Sequence, residues 1–256
     1  MPTNLRHTRL GGRFGTLYAA TGGTPGAGVP GGSSLLTDLA GYWKLDEASG
    51  TRNDSVGTSH LTDVNTVTSN PGKVGTAAQF TAANTESLTV AHNAALAVGN
   101  FDFSIACWVY FTTVTTSIFV SKWSAGQASY TLYYDSGAGN FIWLLSSDGT
   151  ATDVTIQMNV LGTPIVATWY FMTLIHDAAA NQITVQGNAT TAQVVAHSAG
   201  VFAGTAPFEL GARAGVLPLD GRVDEAGYWK KVLSAAERAA LYGGGSGAAY
   251  PFTGLP

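Results

Sequence analysis

Residues 221–242 read as one aromatic strand, a short turn and one capped helix, a sequence of events that few folds accommodate. The strand is Gly221-Arg-Val-Asp-Glu-Ala-Gly-Tyr-Trp229. Ser234 followed by Glu237 is a capping box, in which each side chain satisfies a free backbone N–H at a helix start. Ala235 to Tyr242 are strong helix formers, and Gly243 supplies the left-handed conformation that ends the helix. Nearly everything else before this point reads as β. Strand candidates run over 39–45, 77–80, 87–90, 103–111, 118–123, 130–134, 141–146, 154–158, 170–177, 182–186, 193–197, 208–211 and 222–229. Turn signals separate them, among them Ser136-Gly-Ala-Gly139, Ser147-Asp-Gly149 and Gly187-Asn188. More than ten short strands at hairpin spacing predict a sandwich or barrel. Only 11% of the residues are charged, and 32 are glycine, which suits strands and tight turns better than helical bundles.

Gly-Tyr-Trp-Lys at 41–44 recurs at 227–230 without flanking similarity, so it predicts that the first and last long strands lie side by side. In 103–111, alternation puts Phe103, Ile105, Cys107, Val109 and Phe111 on one face. Cys107 is the lone cysteine, which rules out an intrachain disulfide and suits a small buried hydrophobe.

Five landmarks in this order resemble the laminin G-like, pentraxin-like branch of the concanavalin A-like jelly rolls. They are Leu39-Ala-Gly-Tyr-Trp-Lys-Leu-Asp-Glu-Ala-Ser-Gly50 with Asp54-Ser55-x-Gly57; Gly72-Lys-Val-Gly75 with Ala77-Ala-Gln-Phe80; Phe101-Asp-Phe-Ser-Ile-Ala-Cys-Trp-Val109; Gly221-x-Val-Asp-Glu225 with Trp229; and Leu233-Ser234-x-x-Glu237 with Leu241-Tyr242. The resemblance covers roughly 37–256 and implies an all-β, two-sheet antiparallel jelly-roll sandwich with one short C-terminal helix. Calcium, as a structural ion, is the cofactor it brings, and Asp46, Asp54 and Asp224 are the ligands expected to converge at the rim. The alternative for these residues is structural, with Asp54 capping a turn with Ser55 and Asp224 hydrogen-bonded to a loop. The family's other habit is carbohydrate binding, for which Trp123, Tyr133, Tyr134 and Trp143 are the aromatic candidates; core packing is the competing role of such residues.

An enzyme of this architecture places carboxylates on alternate residues of one strand, so that both face a cleft. Here Asp46-Glu47 and Asp224-Glu225 are adjacent pairs. The five histidines show no metal-ligand spacing, and no Gly-x-Ser-x-Gly elbow is present. Catalysis is therefore not expected.

Residues 1–36 read as a separate Gly-rich arm and linker, and 37–256 as the domain. Arg6, Arg9 and Arg13 precede the first acidic residue, Asp38, and leave −7 on the rest of a chain whose net charge is −4. An acidic body is a poor nucleic-acid ligand. No apolar run is long enough to span a membrane, and glycines interrupt any signal-peptide segment in 1–30. Arg6, Arg9, Arg13, Phe14 and Tyr18 suggest an arm that docks on a partner. Two functions fit. One, implied by a resemblance to the laminin G-like jelly rolls attached to tailed-phage heads and tails, is a virion structural protein, a capsid decoration displayed at the particle surface and gripping the major capsid protein or another virion protein through the arm. The other is a lectin or phage tail adhesin that binds host glycans. A homo-oligomer is compatible with either.

Overall fold

The computed structural model describes residues 33–256. Two antiparallel sheets pack face to face. The eight-stranded sheet runs β13 (Gln193–Ala196), β12 (Gln182–Gly187), β11 (Trp169–Asp177), β6 (Phe103–Phe111), β15 (Gly221–Trp229), β4 (Thr76–Phe80) and β3 (Thr68–Pro71), with β1 (Leu39–Trp43) also on β15. The seven-stranded sheet runs β10 (Val154–Met158), β9 (Asn140–Leu145), β8 (Tyr130–Asp135), β7 (Ser117–Lys122), β14 (Phe208–Leu210), β5 (Ser87–Val90) and β2 (Thr62–Val64). This is the all-β jelly-roll sandwich expected from the sequence. The short polar strands β2 and β3 are additions, since Thr-Asp-Val and Thr-Ser-Asn-Pro carry no apolar alternation to betray them.

The repeated Gly-Tyr-Trp segments pair with each other. Gly41 lies opposite Tyr228 and Tyr42 opposite Gly227, so each tyrosine faces a glycine. The space is needed: a Cβ on Gly227 would fall 2.4 Å from Trp229 Cη2 and 2.9 Å from Tyr42 Cδ2.

Strand β6 explains why one sheet is buried on both faces. Phe103, Ile105, Cys107, Val109 and Phe111 enter the core between the sheets, with Trp43, Phe80, Tyr130, Trp143 and Tyr228. Burial pushes the Cys107 thiol up to about 12, consistent with an inert packing role. The opposite face of β6 carries Ala106 and Trp108, which join Phe171, Ile175, Leu233, Leu241 and Phe252 in a second cluster. The helix α1 (Ala235–Tyr242) and the C-terminal residues form the lid over that face, with Tyr242 stacked on Trp108 at 5.6 Å between ring centroids. The capping box is complete: Glu237 N–H donates to Ser234 Oγ, and Ser234 N–H donates to Glu237 Oε2. Gly243 takes φ +58° at the C-terminus.

The packed body also takes in residues read from sequence as the end of the linker. Ser34–Leu36 form a 3-10 turn, Leu35 is fully buried in the second cluster, and its carbonyl accepts from Trp229 Nε1 at 2.7 Å. The arm residues Arg6, Arg9, Arg13, Phe14 and Tyr18 lie outside the described residues. Among the described residues, no helix is long and apolar enough to cross a membrane.

Candidate functional site

The three aspartates expected to share calcium are each engaged by backbone donors. Asp54 Oδ1 accepts from Tyr42 N–H and Val56 N–H, and its Oδ2 from Ser59 N–H. Asp46 Oδ1 accepts from Thr76 N–H and pairs through Oδ2 with Lys44 at 3.3 Å. Asp224 lies at a bulge where β15 exchanges one neighbour for another, β4 along 221–223 and β1 along 226–229. In the gap its Oδ2 accepts from Lys73 N–H at 2.7 Å and Val74 N–H at 2.9 Å, which ties down the β3–β4 turn. Gly72 leaves room for this, since a Cβ there would come within 2.7 Å of that oxygen. No group of three or more Asp, Glu, His or Cys side chains converges into a metal-ligand set among the described residues. For Asp54 and Asp224 the geometry matches the structural alternative, turn capping and loop anchoring.

The bulge also fixes Glu225 at φ +48°, a strained conformation for a non-glycine residue. The Tyr42 hydroxyl donates to Glu225 Oε2. Burial, helped by the Asp224 and Asp46 charges, pushes the Glu225 carboxyl up to about 8 against the pull of that hydroxyl. Burial likewise pushes Asp224 up to about 7, outweighing its three backbone donors. The two carboxylates serve different partners on this strand and do not face a common cleft.

The four aromatic candidates divide between two surfaces. Tyr134 is buried against Phe111 and Phe141, and Trp143 is buried edge-on to Phe103. Both belong to the core and leave the list of sugar-binding residues. The physical reason is the pleat: Tyr133 and Tyr134 are consecutive and must point to opposite faces, and Trp143 pairs with Leu132, on the inward side. Tyr133 and Trp123 are half-buried on the outside of the seven-stranded sheet.

That outer face carries a cross-strand row, Thr62–Thr89–Glu209–Ser121–Thr131–Leu144–Thr155, each residue opposite the next. The segment after β14 folds over part of it. Arg213 and Val216 exchange backbone hydrogen bonds across Ala214 (φ +48°) and Gly215 (φ +75°), a two-residue turn with both central φ positive. The Leu217 carbonyl then accepts from Ile118 N–H at 2.9 Å and fastens the segment to β7. The result is a pocket of about 130 Å³ lined by Ile118, Thr131, Tyr133, Leu144, Arg213 and Leu217. Its lining holds one cation and no carboxylate. The Arg213 guanidinium sits 5.7 Å from the centre of the Trp123 ring. Thr131, 1% exposed, has a hydroxyl without a hydrogen-bond partner among the described residues, as has Ser121 beside it. Glu209 is close enough for the Arg213 charge to act on it, but burial pushes its carboxyl up, and both its oxygens accept from Ala214 N–H.

Thr131, Leu144 and Arg213 were not singled out from the sequence. Thr131 is two residues from Tyr133 and shares its face by alternation, which was a usable signal. Arg213 is brought beside Trp123 only by the fold of the 211–217 segment.

Residues 80–237 match a laminin G family model described as the concanavalin A-like lectin/glucanases superfamily. The fold is similar to the binding domain of paraclostridial mosquitocidal protein 1, with a TM-score of 0.67 and 13% identity, covering 81% of this chain and 52% of that one. It is similar to domain 4 of AbnA, a GH43 extracellular arabinanase from Geobacillus stearothermophilus in complex with arabinotriose, with a TM-score of 0.61 and 19% identity, covering 78% and 96%. The binding domain of botulinum neurotoxin DC in complex with SialylT gives a TM-score of 0.62 and 11% identity, covering 82% and 52%. This chain thus spans about half the length of the mosquitocidal and neurotoxin chains. At these identities the likeness is one of fold. No curated protein sequence matches the chain.

Proposed function

The chain belongs to the concanavalin A-like lectin/glucanase superfamily, and on that premise we propose that it is a non-catalytic, lectin-like module that holds a saccharide on the outer face of its seven-stranded sheet. The observation that carries the reading is the pocket beside Trp123 and Tyr133. Two half-buried rings flank a concave patch that also offers a guanidinium, and its lining includes Thr131, whose buried hydroxyl has no partner among the described residues. Sugar rings stack on aromatic faces and need a few placed polar groups for orientation, which is this combination. The absence of a carboxylate from the pocket lining favours binding over hydrolysis, because glycosidases use two facing carboxyl groups.

A glycan array probed with the full chain tests the reading. Tyr133→Ala and Trp123→Ala should lose the signal while unfolding at the parent temperature. Retained binding in both variants would move the site elsewhere.

A second reading concerns where the module is displayed. Residues 1–36 carry three arginines and no acidic residue, with Phe14 and Tyr18 among glycines. This composition suits an arm that grips an acidic protein surface, such as the shell of a virion that the module decorates. Deleting residues 1–32 should abolish co-sedimentation with particles and leave glycan binding intact. Undiminished decoration by the truncated protein would remove the arm as anchor.

A further inference from the structure

We infer that the saccharide held at the outer-face pocket is acidic and presents a carboxylate to Arg213. The inference rests on the lectin-like reading above and deepens it by naming the ligand class.

Arg213 is the starting point. It is half-buried at the first position of the tight turn over β7 and β8, and lines the pocket between Tyr133 and Leu217. Its guanidinium is held over the Trp123 ring, and this contact orients the planar fork. Among the described residues it forms no ion pair. The nearby carboxyl, Glu209, is engaged by Ala214 N–H on both oxygens. Other arginines of the body are committed to protein acceptors: Arg52 to the carbonyls of Gly50, Val67 and Thr68, Arg222 to Gln79 and Pro71, and Arg238 to Gln186 and Leu233. Arg213 differs in having no hydrogen-bond acceptor for its guanidinium among the described residues.

A guanidinium presents parallel N–H donors that match a carboxylate in a two-point contact. The rest of the lining is neutral. Ile118, Leu144 and Leu217 offer apolar surface to the C–H face of a sugar ring, and the Tyr133 ring stands at the side. The Thr131 hydroxyl is a buried polar atom that lacks a partner among the described residues. A neutral sugar would use the rings and leave the cation unanswered; a sugar acid uses both. Placing the single cation of the pocket on a body that is acidic overall makes this spot a local exception to the surrounding charge.

The test is an array of sialic-acid- and uronic-acid-terminated oligosaccharides printed beside their neutral and sulfated counterparts, probed with the full chain and with Arg213→Gln, Arg213→Lys and Trp123→Ala. The parent should bind carboxylate-bearing glycans about tenfold or more tightly than their neutral partners, as one charge-assisted contact implies. Arg213→Gln should erase that preference without shifting the unfolding temperature, Arg213→Lys should keep part of it, and Trp123→Ala should weaken acidic and neutral glycans alike. Raising the salt concentration should lower acidic binding selectively. Equal binding of acidic and neutral glycans, a response to sulfated glycans alone, or an Arg213→Gln variant with its acid preference intact would overturn the carboxylate assignment and leave the saccharide reading standing. A blank array would take down both.

Discussion

Replacing Leu35 by alanine in the full chain should unfold the protein measurably earlier, although the sequence around it reads as linker. The side chain is fully buried in the cluster that includes Tyr42, Trp229, Leu241 and Phe252. Its backbone holds the Trp229 Nε1 hydrogen bond, which alanine preserves, so the variant isolates side-chain packing. Large-to-small changes in closed cores cost about 2–5 kcal/mol, the spread reflecting how far the site can collapse. Here the neighbours include the chain's C-terminal residues, tied to the segment by Ser33 Oγ on the Pro256 carbonyl, which can shift more readily than a sheet interior. The low end is therefore expected, about 2–3 kcal/mol. For a domain of this size, each kcal/mol moves Tm by about 2–4 °C, so the midpoint should fall by about 4–12 °C. Leu36→Ala is the control, because Leu36 is 40% exposed and should change stability by less than about 0.5 kcal/mol. Calorimetry and urea melts with unchanged m-values would make the measurement. Equal midpoints for Leu35→Ala and the parent would refute the packing argument and return Ser34–Leu36 to the linker.

Three further outcomes are expected. The folded-state pKa values of Asp224 and Glu225, about 7 and about 8, lie above the unfolded values near 4, so their contribution is full below about pH 4 and is lost as pH rises through 7 and 8. Tm should decline from pH 5 to pH 9, and Glu225→Gln, which keeps an acceptor for Tyr42, should flatten the profile; a parent profile already flat would contradict the burial argument. Gly227→Ala should destabilise by about 1–3 kcal/mol, since its Cβ would overlap Trp229 at 2.4 Å in a closed interface, and wild-type stability would show that β1 and β15 have more room than described. No turnover is expected on laminarin-like, cellulosic or sialylated substrates even where binding is seen; a reproducible activity abolished by replacing a single carboxylate would overturn the non-catalytic reading.

Most of the architecture was legible along the chain because its determinants are local. The capping box of α1 needs only Ser234 and Glu237, and the two faces of β6 follow from alternation over nine residues. Even the long-range pairing of β1 with β15 left a local trace, because packing aromatic rings against glycines wrote the same Gly-Tyr-Trp into both strands. The candidate site was legible in part. Trp123 and Tyr133 were identified by residue type, but type alone could not separate them from Tyr134 and Trp143, since an aromatic residue suits a core and a sugar equally. Facing is decided by register, and register is a property of strand pairs. The same holds for Asp224, whose carboxylate finds the Lys73 and Val74 N–H groups about 150 positions away across a bulge that no single strand encodes. Arg213 meets Trp123 for a similar reason: the turn that carries it is local, but the surface on which it lands is assembled from β7, β8 and β9. Tertiary structure decides such sites because side chains converge through the closing of sheets, and that closing depends on the sum of many pairings across the whole chain.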